Sequence, residues 1–159
     1  MTPLTPEPGW TPLTTFWESM GTRSFVSSDD DPDRIRVRYF AADDGTVWAR
    51  AVFGPGAEGP PGHAHGGALA ALLDEAMGMA ALATGRIVVA ARIEVDFRAL
   101  VPLGDVVTVE LVAEAGEGAK VPVRATLRLS DGRTATEAAG LFVDIGAERM
   151  GRAAEQAGA

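Results

Sequence analysis

The chain has 159 residues, of which 47% are hydrophobic and 23% are charged, a balance typical of a single globular domain. It contains no cysteine, which excludes disulfide bonds, thiolate metal sites and a cysteine nucleophile. Its net charge of −8 disfavours binding to nucleic acids or anionic membranes, because both require a basic surface.

Residues 1–33 predict an irregular N-terminal arm, because prolines are scattered along them and the acidic run 29–33 reads as a solvated turn. A short helix is expected near residues 14–20. The segment lacks a basic region followed by an apolar run, so it does not resemble a secretory signal. We therefore expect a cytoplasmic protein.

Residues 34–146 predict one α+β domain. Apolar and polar residues alternate in six segments, which is the pattern of half-buried strands: 34–40, 46–53, 87–98, 106–115, 121–129 and 134–145. Between the second and third segments, residues 66–84 are apolar at helical spacing and on nearly every side. An antiparallel sheet wrapped around this one long, buried helix satisfies both patterns. Residues 147–159 are expected to form a flexible tail.

Two features of the predicted helix are suited to binding or catalysis. Gly66 and Gly67 begin the helix, where uncovered amides and the positive dipole end can polarise a carbonyl, although two glycines can also serve only a tight turn. Asp74 lies in the middle of the predicted helix, where burial of a carboxylate costs free energy. Catalysis, a capping hydrogen bond or an arginine partner can each account for such a residue. The neighbouring Glu75 is expected to point into solvent.

Gly66 and Asp74 are too far apart to act on one atom from the same helix. They are eight positions apart, or about 12 Å at about 1.5 Å per residue, whereas catalytic contacts span about 3 Å. If both serve one substrate, they must come from two chains. A two-fold dimer would provide this arrangement twice.

The motif His65-Gly66-Gly67, with Asp74 nine residues after the histidine, resembles the signature of hotdog-fold thioesterases, particularly the phenylacetate-pathway type and the mitochondrial acyl-CoA relatives. Residues 97–105 look like that family's strand and R-P-V-x-x-G-D turn, and residues 137–142 look like its closing strand. The resemblance covers about residues 35 to 145. It departs from the pattern at Ala90, where the mitochondrial relatives place a threonine, and at Arg98-Ala99.

The resemblance implies an acyl-CoA thioesterase that hydrolyses a small or medium acyl-CoA as a homodimer or homotetramer. By that resemblance, Gly66 supplies the oxyanion-hole amide with Gly67 beside it, His65 orients the thioester, and Asp74 is the general base or the nucleophile. The sequence does not separate these two roles. Coenzyme A enters only as part of the substrate; no separate cofactor, metal, nucleic acid or membrane partner is expected.

Substrate contacts are expected from Leu73 and Met77 at the acyl group and from Arg98 at the coenzyme A phosphates. Arg92 and Arg124 are alternatives for the phosphates, and each of the three arginines can equally be an ordinary solvated strand residue. His63 falls outside the motif and is expected to line the loop or to be exposed.

Three other functions compete with hydrolysis. A hotdog hydratase or dehydratase usually has its histidine after the aspartate, whereas both histidines here precede Asp74. A non-catalytic acyl-CoA-binding module is disfavoured by the intact motif. A metal hydrolase built on His63, His65 and Asp74 lacks a close third ligand, because two helical turns separate the aspartate from the histidines.

Overall fold

The computed structural model describes residues 2–28 and 30–158. Within them it has the six predicted strands and the long helix in the predicted order, with one further strand ahead of them, and the seven strands form one antiparallel sheet. The elements are β1 Trp10–Leu13, α1 Phe16–Ser19, β2 Ile35–Ala42, β3 Val47–Phe53, α2 Gly66–Leu82, β4 Val88–Phe97, β5 Val106–Ala113, β6 Lys120–Arg128, β7 Thr134–Asp144 and α3 Gly146–Ala157. The predicted α+β architecture, a sheet wrapped around one helix, is confirmed.

The sheet has the strand order β1-β2-β3-β5-β6-β7-β4, and every neighbouring pair is antiparallel. Alternate residues of β5, Val107, Val109 and Leu111, point into the core and are fully buried. Tight turns join β5 to β6 and β6 to β7, with Gly118 and Gly132 at positive φ. The strands β1 and β4 form the two edges of the sheet.

Helix α2 packs its apolar residues against the concave face of the sheet. The side chains of Leu69, Leu72, Leu73, Ala76 and Met77 are each at most 3% exposed. The helix ends at Leu82, with Ala83 as its C-cap, and Gly85 at φ +86° turns the chain toward β4. Among the described residues, no helix is both long and apolar enough to cross a membrane.

The expectation that α2 is buried on all sides is wrong for a single chain. Gly67 and Asp74 are exposed, and Ala71 and Gly78 are half-buried. These positions are spaced by three or four residues, so they form one stripe along the helix, which we call the open stripe. The sheet covers the other side of the helix and leaves this stripe uncovered.

The predicted irregular arm is more ordered than the sequence suggested. Residues 10–13 form β1, which pairs with β2 and adds an edge strand to the sheet. The ring of Trp10 stacks on that of Trp48 in β3, with 4.8 Å between the ring centroids, and this contact stabilises β1 against the sheet. The expected short helix is α1, capped by Thr15 and Glu18. Asp29 of the acidic run lies outside the described residues.

The predicted flexible tail contains helix α3. Its sequence is rich in alanine, glutamate and arginine, which favour helix, and Glu148 pairs with Arg152 one turn later at 2.8 Å. None of its residues is buried. Most of its apolar side chains are alanines, and the one large apolar side chain, Met150, is half-exposed. The helix therefore depends on local propensity more than on the core.

Candidate active site

The first turn of α2 leaves one backbone donor without a partner. The imidazole Nδ1 of His65 accepts from the Gly67 amide at 2.8 Å, and the His65 carbonyl accepts from Ala68 and Leu69 at 2.9 and 3.1 Å. Among the described residues, no acceptor bonds the Gly66 amide. The two glycines therefore differ: the Gly67 amide is used to cap the helix, and the Gly66 amide is available to a ligand.

The same hydrogen bond determines which nitrogen of the neutral His65 ring carries the proton. Because Nδ1 accepts from Gly67, the ring proton is on Nε2, which can donate to a substrate. The His65 amide donates a hydrogen bond to the Ala57 carbonyl at 2.8 Å, which holds the backbone of His65 in place. A Cβ at Gly59 would lie 2.7 Å from the His65 Cα, so this close packing of the loop requires glycine.

His63 does not join this arrangement. Its Nδ1 donates to the Pro61 carbonyl at 2.8 Å, and its backbone pairs with Pro102. This agrees with the expectation that His63 lines the loop. Within residues 2–28 and 30–158, no three histidine, aspartate or glutamate side chains are grouped as metal ligands.

Asp74 lies on the open stripe, two turns from the beginning of α2. No described residue donates a hydrogen bond to its carboxylate, so neither of the structural alternatives, a capping bond or an arginine partner, is observed. Although the residue is exposed in the single chain, the apolar surroundings desolvate the carboxyl group and raise its pKa above the ordinary value. Such a carboxylate is a stronger base than a fully solvated one.

A cavity of about 390 Å³ lies beside Asp74. Its walls include the first residues of β4, the second half of α2 and part of the N-terminal arm, and they are mostly apolar. A second cavity of about 340 Å³ lies at the beginning of α2, next to His65 and Gly67. Phe25 and Ala71 line both cavities, so the two are neighbours along the open stripe.

The predicted acyl-contact residues Leu73 and Met77 are elsewhere. Both are fully buried on the side of α2 that faces the sheet. They line neither cavity. The α2 residues that line the cavity beside Asp74 are instead Ala71, Glu75, Gly78, Met79 and Leu82. Leu73 and Met77 lie on α2 as expected, but on the side that the sheet covers. The sequence of an apolar helix does not show which of its sides will face a sheet.

The three candidate arginines each pair with a nearby carboxylate on the sheet. Arg98 pairs with Glu137, Arg92 with Glu94 and Arg124 with Glu114. All three side chains are more than half exposed, so their pairs can exchange for another anion at little cost. A role for Arg98 at the coenzyme A phosphates stays a prediction.

Sequence reasoning missed a polar cluster behind Asp74. Glu75, expected to point into solvent, is half-buried and accepts hydrogen bonds from the Tyr39 hydroxyl at 3.0 Å and from the Ser24 hydroxyl. Burial, followed by the charge and hydrogen bond of Glu75, raises the pKa of Tyr39 well above its ordinary value. The cluster joins residues far apart in the chain, and no local motif marks it.

The chain matches known proteins over its central part. Residues 61–136 match the thioesterase superfamily. The resemblance to hotdog-fold thioesterases is thereby confirmed. Among curated relatives, the acyl-coenzyme A thioesterase THEM4 of Xenopus laevis is 38% identical over 93 residues, which cover 58% of this chain and 42% of the relative. THEM4 of Rattus norvegicus is 37% identical over 89 residues, with 55% and 38% covered.

Solved structures of thioesterase-superfamily proteins share the fold. One, described as a thioesterase superfamily protein, has a TM-score of 0.65 at 30% identity, covering 69% of this chain and 54% of that one. The PaaI protein from the phenylacetic acid degradation operon of E. coli has a TM-score of 0.64 at 20% identity, with 69% and 80% covered. The hotdog fold is thus established, whereas the chain spans only about two fifths of the length of its curated relatives.

Proposed function

We propose that the chain is an acyl-CoA thioesterase that hydrolyses a small or medium acyl-CoA to the free acid and coenzyme A. The observation that carries the proposal is a pair of groups on α2 that have no hydrogen-bond partner among the described residues: the Gly66 amide in the first turn and the Asp74 carboxylate on the open stripe. One can donate to a developing oxyanion, and the other can accept a proton or attack a carbonyl carbon. The match to acyl-coenzyme A thioesterases supports the same reaction.

The chemistry follows from these two groups. The Gly66 amide, at the positive end of α2, donates a hydrogen bond to the thioester oxygen as it gains negative charge. Asp74 either removes a proton from the attacking water or attacks the carbonyl carbon itself, giving a mixed anhydride that water then hydrolyses. The bond to sulfur breaks, and coenzyme A leaves as the thiolate. The Nε2 proton of His65 helps to orient the thioester.

Two copies of the chain are needed to bring these groups together. Gly66 and Asp74 are eight positions apart, about 12 Å along the helix, so a single chain cannot place both at one carbonyl carbon. A second copy must face the open stripe. This requirement agrees with the exposure of Gly67 and Asp74 in the single chain.

Strand β4 offers the surface for that second copy. It is a ten-residue edge strand whose side chains are largely exposed, including Val89 at 41% and Phe97 at 53%. Unpaired edges of this length favour association with another strand. We infer that two β4 strands pair antiparallel across a two-fold axis and continue the sheet from one copy into the next.

This pairing would bring the right groups together. The Phe97 end of β4 lies beside Gly66, since a Cβ at that glycine would be 3.4 Å from the Phe97 ring. The other end, near Val88 and Ala90, lies beside Asp74 across the cavity. Antiparallel pairing therefore sets the Gly66 end of one copy against the Asp74 end of the other.

The decisive experiment measures thiol release from a panel of acyl-CoA esters by wild type, Asp74→Ala and Asp74→Asn. We expect kcat to fall by about 10²–10⁴-fold in both variants, because neither replacement can accept a proton or form an anhydride. Asp43→Asn removes a carboxylate from the exposed β2–β3 turn and serves as the matched control. Size-exclusion chromatography establishes that all variants keep the same assembly.

The alternative function, a non-catalytic acyl-CoA-binding module, predicts a different result. In that case wild type would bind the esters without releasing thiol, and hydrolysis would be refuted. Equal activity of wild type and Asp74→Asn would refute the assigned role of the carboxylate. A cytoplasmic location, assembly as a homodimer or homotetramer and the phosphate contacts stay predictions.

A further inference from the structure

Residues 23–28 of the N-terminal arm form a compact turn, which we call the arm turn. The Ser24 hydroxyl accepts hydrogen bonds from the amides of Val26 at 3.0 Å and Ser27 at 3.2 Å, and the Ser24 amide donates to the Ser28 hydroxyl. Val26 is only 6% exposed and belongs to the hydrophobic core. The segment is therefore held in one conformation and packed on the domain.

Glu75 ties the arm turn to the rest of the fold. One carboxylate oxygen accepts from the Ser24 hydroxyl, and the other accepts from the Tyr39 hydroxyl at 3.0 Å. Tyr39 is in the centre of β2 and is 2% exposed, so it is a fixed donor. Glu75 thus links the arm, the sheet and helix α2, whereas its neighbour Asp74 is left without a described hydrogen-bond donor.

The arm turn forms a wall of the cavity beside Asp74. Phe25 and Val26 line it together with Trp17 from helix α1. The other walls, supplied by α2, β4 and β7, are also apolar and include Met79, Leu82, Val88 and Phe142. Phe25 is 77% exposed, so its ring has free surface that an apolar ligand can cover. Apolar walls with a few charged groups at one end are typical of sites for apolar ligands with one polar group.

We propose that Glu75 is a positioning residue that holds the arm turn over the cavity beside Asp74, and that the arm turn selects apolar acyl groups larger than acetyl. The proposal rests on the proposed function, since an acyl group enters this cavity only if the chain binds acyl-CoA. Each methylene that Phe25 covers strengthens binding. An acetyl group is too short to gain from these contacts.

The test compares kcat and KM for acetyl-CoA, octanoyl-CoA and phenylacetyl-CoA in wild type, Glu75→Gln and Phe25→Ala. Glutamine keeps the size of the side chain but has one acceptor oxygen for two donors. We expect KM for the two larger esters to rise about tenfold in both variants, and KM for acetyl-CoA to rise much less, so that the preference for the larger esters falls. Glu117→Gln, which removes a carboxylate from the β5–β6 turn, should match wild type throughout. An unchanged preference for the larger esters in both variants would refute the proposal.

A second measurement follows the arm turn directly and does not depend on catalysis. Trypsin cleaves after Arg23, which is exposed at the beginning of the turn. We expect faster cleavage there in Glu75→Gln than in wild type or Glu117→Gln, and an equal rate would overturn the role of Glu75. If wild type hydrolyses no ester, the proposed function fails, and the proteolysis still decides whether Glu75 holds the turn. If Glu75→Gln does not fold, Phe25→Ala decides the selectivity.

Discussion

Replacement of Gly66 by proline tests the assignment of its amide as the oxyanion donor. Proline lacks the N–H group and is favoured at the first position of a helix, so α2 should still form. The preceding residue, His65, has φ −66° and ψ 140°, the extended conformation that a following proline requires. The substitution therefore removes one donor with little disturbance of the backbone.

The expected loss is large because the donor acts on charge that develops in the transition state. Removal of one oxyanion-hole donor typically lowers kcat by about 10²–10³-fold, or about 3–4 kcal/mol. Gly66→Ala is the matched control, because it adds a Cβ 3.4 Å from the Phe97 ring but keeps the N–H group. Thiol release under saturating ester measures both variants. A Gly66→Pro variant with the kcat of Gly66→Ala would show that another group binds the oxyanion.

The same variant tests whether two chains share the site. In each pure variant, Gly66→Pro or Asp74→Asn, both sites of the dimer are defective. A mixed dimer has one site with both defects and one with neither, so random exchange should restore about one quarter of wild-type activity. Two differently tagged Asp74→Asn proteins should restore none. Absence of recovery, with subunit exchange verified by the tags, would contradict the shared site.

Two predictions concern stability. Burial raises the pKa of Asp74, so folding favours its protonated form, and this stability is lost as pH rises through the folded-state pKa. The Tm of Asp74→Asn, measured by calorimetry, should therefore exceed that of wild type by an amount that grows from acidic to neutral pH. A Tm of Asp74→Asn below that of wild type at neutral pH would contradict this prediction. Gly140→Ala should lower the free energy of unfolding by about 1–3 kcal/mol in urea titration. Its Cβ would lie 2.6 Å from the Phe142 ring and 3.1 Å from the Met77 sulfur, and an unchanged midpoint would show that these side chains can move aside.

The regular elements were predictable because their patterns are local. Alternation along residues 106–115 requires one buried side, and the structure has a strand at Val106–Ala113. The long apolar run likewise predicted a helix, and α2 begins at Gly66 as expected. The motif also placed Asp74 correctly on that helix, although it did not show that the carboxylate would be exposed in a single chain.

The remaining features depend on contacts between distant residues. Strand β1 is held by the stacking of Trp10 on Trp48, and Glu75 is held by Tyr39 and Ser24. Neither contact follows a helical or strand period, so composition alone suggested a loose arm and a solvated carboxylate. The orientation of α2 was ambiguous for a related reason: when nearly all side chains of a helix are apolar, the sequence does not show which side the sheet covers and which side it leaves open.

The two edges of the sheet differ in a way that limits how the protein can assemble. Strand β1 has four residues and carries Pro12, which cannot donate a ladder hydrogen bond, whereas β4 has ten residues and no proline. If β4 pairs with β4 of a second copy as proposed, the sheet extends once and then stops, because the short β1 edge resists a further strand. Strand β1, which the sequence suggested to be part of an irregular arm, would then prevent growth into a continuous ribbon, the route to fibres.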